Sequence, residues 1–166
     1  MCIFAKRVDS PNKTVFDLGI RTKNLPETTS FTYDKIKQPL ETFSYEIGNK
    51  MYKRSLISEN NLLFSNIQGY CDISFTALSF INAKKIAYTP HNYVTIKNEE
   101  YPSLDDTMKS FMHLYEGLEQ RKMFSKYRDS FFIKLNSSIN ECTCSENDMT
   151  DNSFFIDWMR WNLKEK

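Results

Sequence analysis

The run Ile73 to Ala83, ISFTALSFINA, carries no charged side chain and is opened by Gly-Tyr-Cys-Asp, residues 69–72. Ile73, Ala77, Phe80 and Ile81 fall on one face of a helix, with Leu78 on its flank. A helix with that face has to be packed against the rest of the domain, so it constrains everything around it. Asp72 stands where turn chemistry gives way to the apolar run. An aspartate there accepts hydrogen bonds from the orphan N–H groups of the first turn and complements the helix dipole. The same position also suits a catalytic carboxylate, because a helix start is a rigid mounting. Both roles for Asp72 stand at this point.

The chain has 166 residues, which fits one domain with enough material for a core. Thirteen Phe, nine Tyr and two Trp supply the burial that disordered chains lack. The net charge of +1 gives no electrostatic case for nucleic acid or an anionic membrane. No apolar segment approaches the roughly 18 residues of a spanning helix. The opening MCIFAKRV is broken by Lys6 and Arg7 and is too short for a signal peptide. The chain therefore reads as cytoplasmic, with reduced cysteines.

The expected fold class is α/β, with short strands followed by a helical C-terminal region. Residues 2–8 and 14–20 are expected as two strands around Ser-Pro-Asn-Lys, and residues 22–32 as a loop. Leu40 to Ile47 has helical spacing ended by Gly48, and Tyr52 to Asn60 reads as a short helix. Ile86–Tyr88 and Tyr93–Ile96 are expected as two strands separated by Pro90. Ser103-Leu104-Asp105-Asp106 is close to a capping box, with Asp in place of Glu. It opens a long helix with a stripe of Leu104, Met108, Phe111, Met112, Tyr115 and Leu118. A second helix covers Tyr127 to Ile139. The expected divisions are 1–103, a helical extension at 104–140, a linker at 141–152 and an amphipathic helix at 153–166.

Several chemistries lack their residues. Four glycines in the whole chain cannot write a P-loop or a dinucleotide fingerprint. Cys142-Thr143-Cys144 lacks the further pair a structural zinc needs, and reads as two thiols in a surface linker. No serine or cysteine nucleophile has an adjacent base. His113 falls near the apolar stripe of the long helix and reads as structural. His91, after Pro90, could reach a ligand. Asp157-Trp158-Met159-Arg160-Trp161 reads as two packed Trp rings.

Several elements, in order, carry a resemblance. They are Asn49-Lys50-Met51-Tyr52-Lys53-Arg54, then Phe64, then Cys71-Asp72, then Ala83-Lys84-Lys85-Ile86-Ala87-Tyr88, and finally Tyr93. From Ile47 to Ser103 the chain resembles the acceptor-side half of family 2-like glycosyltransferases with the GT-A fold. The resemblance implies a partial GT-A-like domain over 1–103. It implies Asp72 as the general base that deprotonates the acceptor hydroxyl during inverting transfer, a role that contributes about 10²–10⁴-fold. It places Asn49, Lys50 and Tyr93 on the acceptor-binding side. Cys71 stands where the family has Glu, and Thr95 and Ile96 stand where it has Tyr and Arg.

The family's nucleotide-binding half and its metal-holding Asp-x-Asp motif have no counterpart here. Asp105-Asp106 and Asp148–Asp151 stand in the wrong context, a helix start and a linker. No metal site and no cofactor are expected in this chain; a divalent ion, Mg or Mn, belongs to a completed enzyme. The resemblance implies a portion of a transferase for surface polysaccharide of the bacterial type. It would take a nucleotide-sugar and a glycan acceptor once joined to an N-terminal half. The alternative is a non-catalytic interaction module or truncated remnant, with a protein partner or peripheral membrane association and no nucleic acid.

Overall fold

The computed structural model describes residues 1–10, 13–17, 19–26, 28, 30–36, 38–67, 72–97 and 103–143. In chain order the elements are β1 (Cys2–Ser10), β2 (Lys13–Asp17), β3 (Ser30–Phe31), α1 (Pro39–Thr42), β4 (Lys50–Met51), α2 (Arg54–Glu59), α3 (Asp72–Asn82), β5 (Ile86–Lys97), α4 (Leu104–Gln120) and α5 (Phe124–Thr143). Single 3-10 turns lie at Thr22–Asn24 and Tyr33–Lys35. The domain is mixed α/β, and β1 is the strand on which its sheet is assembled. One edge of β1 pairs antiparallel with β2 and β4; the other pairs parallel with β5. β3 adds antiparallel to the start of β5, giving the order β2-β1-β5-β3.

Ile3, Phe31 and Ile86 of the sheet share one core with Phe75, Ala77 and Phe80 of α3, Phe111, Leu114 and Leu118 of α4, and Phe131 and Leu135 of α5. The segments 1–103 and 104–140 are thus packed into a single core. Every side chain from Ile73 to Phe80 is buried, so α3 has neighbours all round rather than on one stripe. Phe80 stacks on Phe43 with ring centroids 4.1 Å apart. A Cβ on Gly117 would lie 2.7 Å from Leu78 Cδ1, so α4 approaches α3 where the glycine leaves room.

The structure corrects several expectations. The expected helix from Leu40 to Ile47 is helical only through Thr42, where α1 (Pro39–Thr42) ends. Phe43 is extended, at φ −115° and ψ 145°, and bridges Ile20. Arg21 N donates to Thr42 O and Ser44 N to Gly19 O, so a neighbouring segment takes the groups a helix would use. β5 is one strand rather than two. Pro90 lacks the N–H a ladder needs, and the register with β1 shifts on both sides of Ala5, opposite residues 89–94. The strand accommodates the proline by irregularity instead of breaking. The expected loop at 22–32 contains a 3-10 turn and β3. α5 runs through Thr143 into the expected linker; Cys142 is buried, its Sγ 3.3 Å from Thr107 Oγ1. Cys144, the rest of that linker and the expected helix at 153–166 lie outside the described residues. The capping expectation at Ser103 holds. Its hydroxyl accepts from Asp106 N at 3.1 Å and donates to the Asp106 carboxylate. Among the described residues, no helix is long and apolar enough to cross a membrane.

Phe80→Ala is expected to lower the unfolding free energy by about 3–5 kcal/mol in a urea titration. Phe16→Ala, at a side chain 67% exposed, should change it by less than about 0.5 kcal/mol. The buried phenols differ from each other. Tyr45 Oη donates to Leu40 O at 2.8 Å, whereas Tyr33 Oη has no partner among the described residues. Tyr45→Phe should therefore cost about 1 kcal/mol, and Tyr33→Phe nothing or less than nothing. Burial pushes the ionisation of both phenols up, with Glu41 adding to it at Tyr45. A raised folded pKa leaves the stability whole below the unfolded value and removes it as pH rises beyond. Alkaline destabilisation should thus set in above about pH 10, and the Tyr33→Phe/Tyr45→Phe double variant should flatten it.

Candidate functional site

The segment 43–50 runs under β1 and carries two of the expected site residues. Lys50 is buried, and its Nζ donates to Glu46 O, to Asn49 Oδ1 at 2.6 Å and to Ser44 Oγ at 3.3 Å. It also lies 5.9 Å from the centre of the Phe80 ring. Lys6, 1% exposed, sits between the carboxylates of Glu46 and Asp17. Two lysines, one from β1 and one from this segment, are thus buried, each with the acceptors a buried ammonium requires. Asn49 is fully buried. Its Nδ2 has no hydrogen-bond partner among the described residues and occupies the space over Gly19, where a Cβ would come within 2.3 Å of it. Gly19 itself is left-handed, at φ +60°. Asn49 and Lys50 therefore hold Gly19, the segment 43–47 and β4 together.

Asp72 is the first residue of α3; its side chain lies outside the described atoms. One turn later, Thr76 Oγ1 donates to Tyr45 O at 2.8 Å, which ties the start of the helix to the segment 43–47. Phe75 receives two aromatic rings. Phe64 stacks on it at 4.1 Å and Tyr52 meets it edge-on at 5.2 Å. Residues 52, 64 and 75, far apart in sequence, converge three positions after Asp72. Tyr93 is 65% exposed and stands edge-on to Phe4 at 5.6 Å. Phe4 N in turn donates to Asn49 O at 3.1 Å. Asn49, Lys50 and Tyr93 are thus linked through β1, with only Tyr93 presented to solvent.

A cleft of about 580 Å³ flanks the first turns of α3. Ser74, Phe75 and Leu78 form one wall, residues 60–66 a second, and His113, Glu116, Gly117, Gln120 and Arg121 of the α4 end a third. Arg121 holds two walls together by donating to Gly117 O and Asn60 O, each at 3.0 Å. Exposed Asn61 and Asn66 and half-exposed Phe64 face this space. The mixture of amides, hydroxyls and an aromatic ring can bind a polyhydroxylated ligand by hydrogen bonds and ring contact. The sequence reading missed this cleft because three distant segments build it. His113 is also corrected here: it is exposed, with Nδ1 3.8 Å from Glu116 Oε2, and it lines the cleft rather than the core. His91 is exposed beside Tyr93, with ring centres 6.2 Å apart.

Among the described residues, no three His, Cys, Asp or Glu side chains are grouped to hold a metal ion. Asp105 is paired with Lys109 and Asp106 with Ser103, so neither is arranged as a metal ligand.

Comparison with known protein families, with curated proteins and with solved structures returns no match. What fold and site define is a class: a mixed α/β domain with a polar cleft beside the start of a buried helix.

Gly19→Ala should lower stability by about 1–3 kcal/mol through its left-handed backbone, plus the clash with Asn49. In an Asn49→Ala background the same change should cost less, which a double-mutant cycle by thermal or urea unfolding can measure.

Proposed function

We propose that the chain is the acceptor-side portion of a glycosyltransferase, active when joined to a donor-binding half. The observation that supports this is the convergence of Tyr52, Phe64 and Phe75 at the start of α3, beside a polar cleft. In the completed enzyme a glycan hydroxyl sits in that cleft. Asp72 takes its proton as the oxygen bonds to the anomeric carbon, and the bond from that carbon to the nucleoside diphosphate breaks. A carboxylate at this point needs fixed geometry, which the buried helix provides. Asn49 and Lys50 support the site from behind; Tyr93, braced on Phe4, is the exposed contact. The donor and any divalent ion are held by the completing half.

A second reading is favoured by one feature of the sheet. β5 pairs with β3 only at Ile86 and Ala87, so from Tyr88 onward its outer edge meets no described strand. Such an edge suits a protein partner that adds a strand, which is how an interaction module would work.

The test is co-expression with a donor-binding half that carries Asp-x-Asp, followed by a sugar-transfer assay. The expected result is transfer that neither half shows alone, reduced about 10²–10⁴-fold by Asp72→Asn with the complex intact. Full activity of Asp72→Asn removes the base assignment. A stable complex that never transfers sugar favours the interaction module.

A further inference from the structure

A second cleft, of about 630 Å³, opens at the other end of α3. Its size is that of a small-molecule site, roughly 300–1,000 Å³. Four lysines line it: Lys23 from the first 3-10 turn, Lys35 from the second, and Lys84 and Lys85 from the connection between α3 and β5. Leu25 and Phe31 supply apolar lining. No Asp or Glu is among the described residues of the lining. The carboxylate next to Lys35, Asp34, is outside the lining, where a hydrogen bond from Thr32 holds its pKa below the usual value.

We propose that this cleft binds a small phosphorylated molecule, with its phosphate or diphosphate among the four ammonium groups and its uncharged body on Leu25 and Phe31. Like charges gathered in one concavity repel each other, and a multiply charged anion converts that repulsion into attraction. Lysines act as point charges rather than planar forks, so they suit a charge-dense group with oxygens on several sides. A carboxylate, with one charge, would leave most of the ring uncompensated. Lys84 and Lys85 follow the last turn of α3 and carry the sign that helix end favours. The cleft is about 15 Å along the helix from Asp72. It is a separate site, and it stands or falls independently of the sugar-transfer reading.

The probe is inorganic pyrophosphate, titrated calorimetrically into the full chain at low salt, with sulfate at matched ionic strength as control. Saturable one-site binding is expected, weakening as salt is raised. Lys84→Ala/Lys85→Ala and, independently, Lys23→Ala/Lys35→Ala should each weaken it about tenfold or more, whereas Lys122→Ala should not. All five positions are exposed, and circular dichroism checks that each variant is folded. Absence of binding, equal binding of sulfate, or binding that survives both double substitutions overturns the proposal. So does association with vesicles of anionic phospholipid without binding of pyrophosphate, which would assign the lysines to a membrane surface.

Discussion

The structure depends on the complete burial of α3. A helix with apolar or small polar side chains on every side needs walls on every side, and the rest of the domain supplies them. The sheet, through Ile3 and Ile86, and α4, through Phe111, Leu114 and Leu118, share its core. Phe43 leaves the helical conformation to stack on Phe80, and Gly117 leaves the space that Leu78 fills. Even the small polar residues are used: Thr76 donates to Tyr45 O and so fixes the segment that carries Glu46, Asn49 and Lys50. Burial on this scale makes the helix a rigid bar, and both candidate sites are at its ends.

Those ends have opposite character for a physical reason. The N-terminal end of a helix favours a negative group and the C-terminal end favours positive ones. Asp72 opens α3, and Lys84 and Lys85 follow its last turn. At the acidic end, the neighbouring cleft is rich in amides and holds an aromatic ring. At the basic end, the cleft is lined by lysines without a carboxylate among its described residues. The two cavities are therefore proposed to take different ligands, a polyhydroxylated one and a charge-dense anion.

What was legible in the sequence was local. The paired strands β1 and β2, α3, the Ser103 cap and the body of α5 follow from alternation, periodicity and capping chemistry within a few residues. The segment 43–47 was not legible, because its helical spacing competes with pairing to residues 19–21 and with the Phe80 ring. Pro90 misled for a similar reason: a strand can carry a proline at an irregularity when its neighbour shifts register. The site was legible only as positions. Asn49 and Lys50 read as polar residues available to a ligand, yet tertiary contacts bury both. Lys6, which interrupts the opening apolar run, gave no sign of the two carboxylates that surround it. The cleft beside α3 combines residues 60–66 with residues 113–121, a juxtaposition that no local pattern encodes.

The start of α3 is proposed as an acceptor site. The most direct measurement is a ¹⁵N-labelled NMR titration of the chain with a panel of oligosaccharides. At least one glycan is expected to produce saturable shifts concentrated at residues 60–66 and 72–75 and at Tyr93, with the lysine cleft unaffected. Shifts that avoid those residues, or no saturable shift from any glycan in the panel, would contradict it.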